Sequence, residues 1–379
     1  MRLSRDPAAR RRLAALAGCA LASLGIGLLV GSSRDEVPER PGPSAAGPAK
    51  SRGPAARLTL RRQLGQLLVS SFDGPTAPPY IVRRLRAGET TGVILFTTNA
   101  RSPGGLRSLT RALQRAAGGA ALVAADQEGG GIRSVPFAGP DAGQAGQGGA
   151  AEVQQAAAAA GRRLRGLGVN LNLAPVADVP AGARAVLAGR SFPGSPAAVG
   201  ERVRAAVRGS RRSRVAATAK HFPGLGAARS NTDDAAVSIG SPRARLESRD
   251  LRPFRAALAE DVPLVMASHA LYPAYDERRI ASQSRALLTG LLRRRLRFRG
   301  VVVTDSLEAQ AVLDRSGIGE AARRSVEAGA DLVLMTGSAS WNDVFPALLA
   351  EARRSTQFRR RVAQSAGRVL ALKRRLGLR

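Results

Sequence analysis

The chain is poor in the residues that usually announce a cofactor, a metal or a covalent cross-link. It has one cysteine, Cys19, and two histidines in 379 residues. A single cysteine excludes an intrachain disulfide and any cysteine-based zinc site. Two histidines among scattered carboxylates give no HExxH spacing and no facial triad, so no metal and no cofactor is expected. No GxGxxG follows the first apolar run, which argues against a dinucleotide-binding fold. Lysine is nearly absent as well: of 59 basic residues, all but Lys50, Lys220 and Lys373 are arginine. The formal net charge of +31 raises the question of a nucleic-acid partner. There is, however, no RNP-type aromatic motif and no Cys/His finger spacing to support one. Arginine enriched together with alanine and glycine reads as a coding bias. The charge is then a background suited to an anionic envelope or membrane surface.

What is present divides the chain in three. Arg2, Arg5, Arg10, Arg11 and Arg12 precede residues 13–31, which carry no charge over 19 positions. Positive charge before an apolar run is the order of a secretory signal or signal anchor, so 1–31 is expected to take the protein out of the cytoplasm. Leu16-Ala17-Gly18-Cys19 has the form of a lipidation site. Too few apolar residues precede Cys19, however, and an anchor or ordinary signal is the stronger expectation. Residues 32–57, rich in Pro, Gly, Ala and Ser, read as a flexible tether. A folded domain is expected over 58–379, where 44% apolar composition in the whole chain leaves ample material for a core.

Within that domain, short apolar runs alternate with helical patterns. The runs are Leu67–Ser71, Val93–Phe96, Ala121–Ala125, Val169–Leu173, Val215–Ala219, Leu264–Ala267, Val301–Thr304 and Leu332–Met335. Residues 105–117 and 152–167 carry the helical period between them. Parallel pairing needs a returning helix at each crossover, and eight such units predict a (β/α)8 barrel. Polar residues follow the runs: Asp126, Asp178, Lys220-His221, His269 and Asp305. A barrel opens the carboxyl ends of all its strands onto one face, so these residues should converge there.

Lys220 stands out because the other two lysines lie in the tether and toward the carboxyl-terminal tail. A lysine retained where arginine has replaced it nearly everywhere points to a need for a slim point charge. Asp305 ends an apolar strand. It reads either as a held carboxylate at the mouth or as a helix N-cap, since Ser306 and Leu307 open a helical run. Asp126 either faces the mouth or closes the turn before three glycines.

Several segments resemble family 3 glycoside hydrolases, specifically the single-domain β-N-acetylglucosaminidase (β-N-acetylhexosaminidase) type. Asp126-Gln127-Glu128-Gly129-Gly130 matches DQEGG, and Asn170 to Val179 resembles N-x-N-x-A-P-V-x-D-V. Arg190-Ser191-Phe192 matches RSF, and Lys220-His221-Phe222-Pro223-Gly224 matches KHFPG. Met266 to His269 with Tyr272-Pro273, and Gly300 to Leu307, continue the series in order. The resemblance implies a carbohydrate substrate and a retaining exo-hydrolase with Asp305 as nucleophile. It also implies that Asp126, Arg190, Lys220 and His221 contact the sugar, while His269 reads either as a further sugar contact or as a satisfied core histidine. N-acetylglucosamine-containing glycans, cell-wall fragments among them, would be the substrate. Retention needs a second, acid/base group about 5 Å away. The family's Asp-Ser-His loop is altered: residues 225–236 contain aspartates but no histidine, and Leu225 replaces a further histidine. Asp233 or Asp234 is the expected substitute donor, given a raised pKa. Gly131 and Ser195 also depart from the pattern, at an arginine and an aspartate. The alternatives are a catalytically impaired carbohydrate-binding barrel, a β-glucosidase-like enzyme, and a Schiff-base aldolase using Lys220.

Overall fold

The computed structural model describes residues 54–378. The expected signal segment and most of the tether, Cys19 included, lie outside the described residues. Eight parallel strands close into a barrel: β1 Leu68–Ser70, β2 Gly92–Leu95, β3 Leu122–Ala125, β4 Leu171–Asn172, β5 Ala216–Phe222, β6 Leu264–Ala267, β7 Val301–Ser306 and β8 Leu332–Leu334. Closure is direct, with Val69 opposite Gly92 on one side of β1 and Leu68 opposite Val333 on the other. Each predicted run holds one strand. Gly92 shows how tight the weave is, because a Cβ there would lie 1.8 Å from the Leu122 carbonyl oxygen.

Helix α1 (Leu60–Gly65) leads into β1. The returns are α2 (Pro79–Ala87), α3 (Pro103–Ala116), α4 (Ala150–Gly166), α5 (Pro196–Arg212), α6 (Leu251–Ala259), the wide-turned segment Ala286–Arg295, α7 (Ile318–Ala328) and α8 (Trp341–Arg354). Ser102 and Ser195 begin α3 and α5 by accepting the amides of Gly105 and Ala198. Ser195 is thus an N-cap, a position where serine and aspartate are interchangeable. That departure from the family pattern leaves the mouth untouched.

Three expectations need correction. Pro54–Arg57, assigned to the tether, form a helical turn whose Ala55 shares a core with Phe345 and Leu348 of α8 and with Phe358 and Val362. β4 is shorter than its apolar run, although the pairing continues beyond it, with the Leu173 amide donating to the Ala125 carbonyl and the Thr218 amide to the Ala174 carbonyl at 2.9 Å each. Lys373, placed toward a tail, lies buried in α9 (Thr356–Arg375). That helix is amphipathic, and Val369, Leu372 and Leu376 join Leu122, Leu264 and Val301 in the barrel's interior core. α9 therefore seals the amino-terminal end of the barrel. A ligand can enter the barrel axis only from the carboxyl ends of the strands.

Candidate active site

The mouth is assembled from strand ends, beginning with a buried ionic knot. Lys220, near the end of β5, is only 2% exposed, and its Nζ sits 2.6 Å from Asp126 Oδ1 and 2.6 Å from Glu128 Oε1. Arg190 grips the Glu128 carboxylate with Nε at 3.0 Å and Nη2 at 2.7 Å, a bidentate pairing. Burial by itself would deprotonate Lys220. The Asp126 and Glu128 charges outweigh it and raise the ammonium's pKa. Burial likewise opposes the charge on Glu128, yet Lys220 and Arg190 bring its carboxyl down to about 2. Lys220 and Glu128 thus keep their charges out of water by compensating one another. A lysine held protonated in this way is no Schiff-base nucleophile, which removes the ground for the aldolase reading.

His221, the next residue, meets Asp178 in the loop that follows β4. Its Nδ1 lies 2.7 Å from Asp178 Oδ2, and the same carboxylate accepts the amides of His221 and Leu225, the latter at 2.6 Å. The two loops touch at Gly226, where a Cβ would stand 1.8 Å from the Val179 carbonyl oxygen. With Nδ1 committed to Asp178, Nε2 is left facing Asp305 Oδ2 at 3.9 Å. That is close enough for attraction and too far for a hydrogen bond.

Asp305 closes β7 and lines the cavity. Burial would raise its pKa, but His221, His269 and Lys220 and the Ser306 amide, 2.9 Å from Oδ1, hold it below the ordinary carboxylate range. It caps no helix: Ser306 still belongs to β7, and the helical turn that follows begins at Gln310.

The altered loop docks on the segment that follows Asp305. The Gln310 and Ala311 amides donate to the carbonyls of Asp233 and Thr232 at 3.1 Å each. Both Asp233 and Asp234 are exposed, but Asp233 lines the cavity that Asp305 lines and Asp234, one residue on, does not. Asp233 stands at the rim, open to solvent on one side. Partial loss of water and the charge of Asp305 push its carboxyl up, against the Asn231 amide at 3.0 Å. His269 needs correction as a sugar contact. It is fully buried, with Nδ1 2.8 Å from Ser282 Oγ and Nε2 donating to the Ser306 carbonyl at 2.8 Å. Burial lowers its pKa. It braces the backbone beside Asp305 from behind.

The remaining predicted residues come together. Asp126, Arg190, Lys220, His221, Asp233 and Asp305 line one blind cavity of about 500 Å³, floored by Ile94, Met266 and Leu334. That volume suits a small-molecule site. Gly131 forms part of its rim with open space where a side chain would project. One contributor, Glu128, escaped the sequence reading, and another, Asp178, was expected at the mouth without a role there. Both stand inside quoted motifs, and an acid flanked by glycine or ending an apolar strand was the available signal. Among the described residues no group of three His, Cys, Asp or Glu side chains is placed to hold a metal ion.

A closed parallel barrel whose mouth presents a carboxylate beside a cationic wall fits a glycoside hydrolase. The comparisons with known proteins agree: residues 59–372 match the model of the glycosyl hydrolase family 3 N-terminal domain, and the chain belongs to that family. It is 33% identical over 342 residues to a protein of Arthroderma benhamiae described as an uncharacterized secreted glycosyl hydrolase, covering 85% of this chain and 96% of that one. It is 33% identical over 294 residues to a beta-hexosaminidase of Xylella fastidiosa, covering 74% and 87%. A solved family 3 beta-N-acetylglucosaminidase from a Paenibacillus species superposes with a TM-score of 0.80 at 35% identity. The match covers 84% of this chain and 63% of that one. Among the described residues no helix is long and apolar enough to cross a membrane.

Proposed function

We propose that this glycoside hydrolase is a retaining, exo-acting β-N-acetylhexosaminidase of N-acetylglucosamine-containing glycans. In this reading Asp305 is the nucleophile and Asp233 the acid/base. The observation that carries it is a pair of carboxyls lining one cavity whose surroundings push their proton affinities apart, Asp305 down and Asp233 up. Such divergence assigns the ionised partner to nucleophilic attack and the protonated one to proton donation. The blind floor favours a single terminal sugar over a threaded chain. Relatives named for hexosaminidase activity support the choice of sugar.

Asp305 attacks the anomeric carbon while Asp233 gives its proton to the departing oxygen, leaving a glycosyl-enzyme ester. Asp233, now a carboxylate, takes a proton from water, which attacks the same carbon and frees Asp305. The Lys220–Asp126 and Arg190–Glu128 pairs hold sugar hydroxyls, and His221 Nε2 takes one beside the bond being broken.

The test is Asp233→Asn, assayed with aryl and natural glycosides. Poor leaving groups should lose about 10²–10⁴-fold, because only they need the proton in the transition state. Activated substrates should give a burst and then a slow phase that azide restores. The falling, alkaline limb of kcat/KM belongs to the deprotonation of Asp233, so the variant should lack it. Wild-type behaviour of the variant, with leaving-group dependence appearing in His221→Gln instead, would move the proton donor to the His221–Asp178 pair. Inactivity of the wild type on every glycoside would leave a binding barrel. We also place the barrel outside the cytoplasmic membrane, carried there by residues 1–31. Protease added to intact spheroplasts should digest it, and a protected barrel would contradict the location.

A further inference from the structure

On the barrel's flank a second cavity, about 980 Å³, runs between the Ala286–Arg295 segment, α7 and the first turns of α9. Its walls are dense in arginine, and most of that charge is already answered. Buried Asp331 takes Arg293, Arg361 at 2.8 Å and Arg368 at 3.2 Å. Glu320 and Glu327 take Arg323 at 2.6 and 2.5 Å, and Glu320 also takes Arg324 at 2.7 Å. Arg279, Arg285 and Arg360 remain, exposed along the cavity and with no carboxylate partner among the described residues. The nearest acid on that side, Asp276, is occupied by Ser284 Oγ at 2.7 Å and by the amides of Arg278 and Arg279.

A second observation is independent of charge. Gln283 is 6% exposed and lines the cavity, yet its Nε2 has no hydrogen-bond partner. A buried amide donor left unpaired costs stability unless something accepts from it. Thr356 and Gln357 open α9 at the same wall, where helix-start amides lack intrahelical acceptors. The uncharged remainder is amide and hydroxyl, notably Thr289 and Gln364. The one aromatic side chain, Phe358, is turned into the core. Nucleobases would find no stacking platform there, whereas a hydroxylated strand would find partners throughout.

We propose that this flank cavity binds an acidic glycan strand, a carbohydrate chain with carboxylate or phosphate groups on successive units. Arg279, Arg285 and Arg360 take the anionic groups, while Gln283 and the first turn of α9 donate to neutral oxygens. The site stands apart from the catalytic mouth and does not depend on which glycoside is cleaved there.

The test is fluorescence anisotropy of the full chain with a labelled galacturonic acid hexamer at low ionic strength. The variant Arg279→Gln/Arg285→Gln/Arg360→Gln should bind about tenfold more weakly with unchanged Tm, and Arg285→Gln alone should show part of the loss. Arg107→Gln/Arg111→Gln/Arg115→Gln, on exposed α3, removes the same charge and should change binding less than about twofold. A neutral chitin hexamer should not bind the cavity. Equal losses in the two triple variants would reduce the effect to net charge and overturn the site. Tighter binding of a charge-matched single-stranded oligonucleotide, lost in the cavity variant, would overturn the glycan assignment.

Discussion

The two lysines in the described structure sit at opposite ends of one barrel and have opposite fates. Lys220 at the mouth is 2% exposed and Lys373 at the sealed end 6%, so both pay the same kind of desolvation. At the mouth two carboxylates at 2.6 Å overcome that penalty and keep the ammonium charged. At the sealed end the partner is only the Gln66 side-chain oxygen at 2.8 Å, and burial pulls Lys373 down to about 7. The difference lies in the company each lysine keeps. At the mouth the charge is compensated by its neighbours, as the proposed binding of a polar sugar there would require. The sealed end needs only to close, and an apolar residue would do so as well. Function at the carboxyl ends of the strands and stability at the other end is the division that barrels of this class follow.

Breaking that contrast should cost most at the mouth. Lys220→Met leaves Asp126 and Glu128 facing each other with Arg190 alone, a loss of about 3–5 kcal/mol as for a buried pair stripped of one partner. Turnover of any glycoside should fall by about 10²-fold or more among the molecules that remain folded. Chemical denaturation together with active-site-normalised kinetics checks both. A variant of wild-type stability and rate would make the knot ornamental.

At the sealed end the sign should reverse. Lys373 has a folded pKa of about 7, below its unfolded value of about 10.4, so the unfolded chain binds more protons between those limits. Stability should therefore rise as pH climbs from 7 toward 10. Lys373→Met should flatten that slope and stabilise the protein at neutral pH by about 1–2 kcal/mol. Urea melts across the window measure it, and an unchanged slope would show that Lys373 keeps its proton in the fold.

The smallest effect is expected one residue from the altered loop's working side chain. Asp234→Asn removes an exposed carboxylate outside the cavity and should alter stability by no more than about 0.5 kcal/mol. Its rate on poor leaving groups should stay within about twofold of wild type. A loss matching that of Asp233→Asn would mean that the two aspartates share the proton.

Much of this was legible in the sequence because it depends on local order. Short apolar runs and the helical period between them mark the eight strands and their returns, and strand-end residues converge by topology alone. The sealed end was harder to read. α9 looks like an arginine-rich tail until its apolar stripe of Val369, Leu372 and Leu376 is seen to meet the barrel interior. His269 shows a second limit, since a strand-end histidine can face the mouth or the layer behind it. Only the positions of Ser282 and the Ser306 carbonyl decide between them. Asp233 and Asp234 were indistinguishable in sequence. They separate through two backbone hydrogen bonds from Gln310 and Ala311, contacts across 77 and 79 residues.

The central claim is that Asp305 forms a covalent bond to the sugar, and trapping tests it most directly. The full chain would be incubated with an activated 2-deoxy-2-fluoro glycoside, digested, and its peptides read by mass spectrometry. The account predicts one glycosyl adduct per chain, on Asp305, absent in Asp305→Ala and released by a transglycosylation acceptor. An adduct on any other residue, or substrate turnover with no adduct at all, would contradict it.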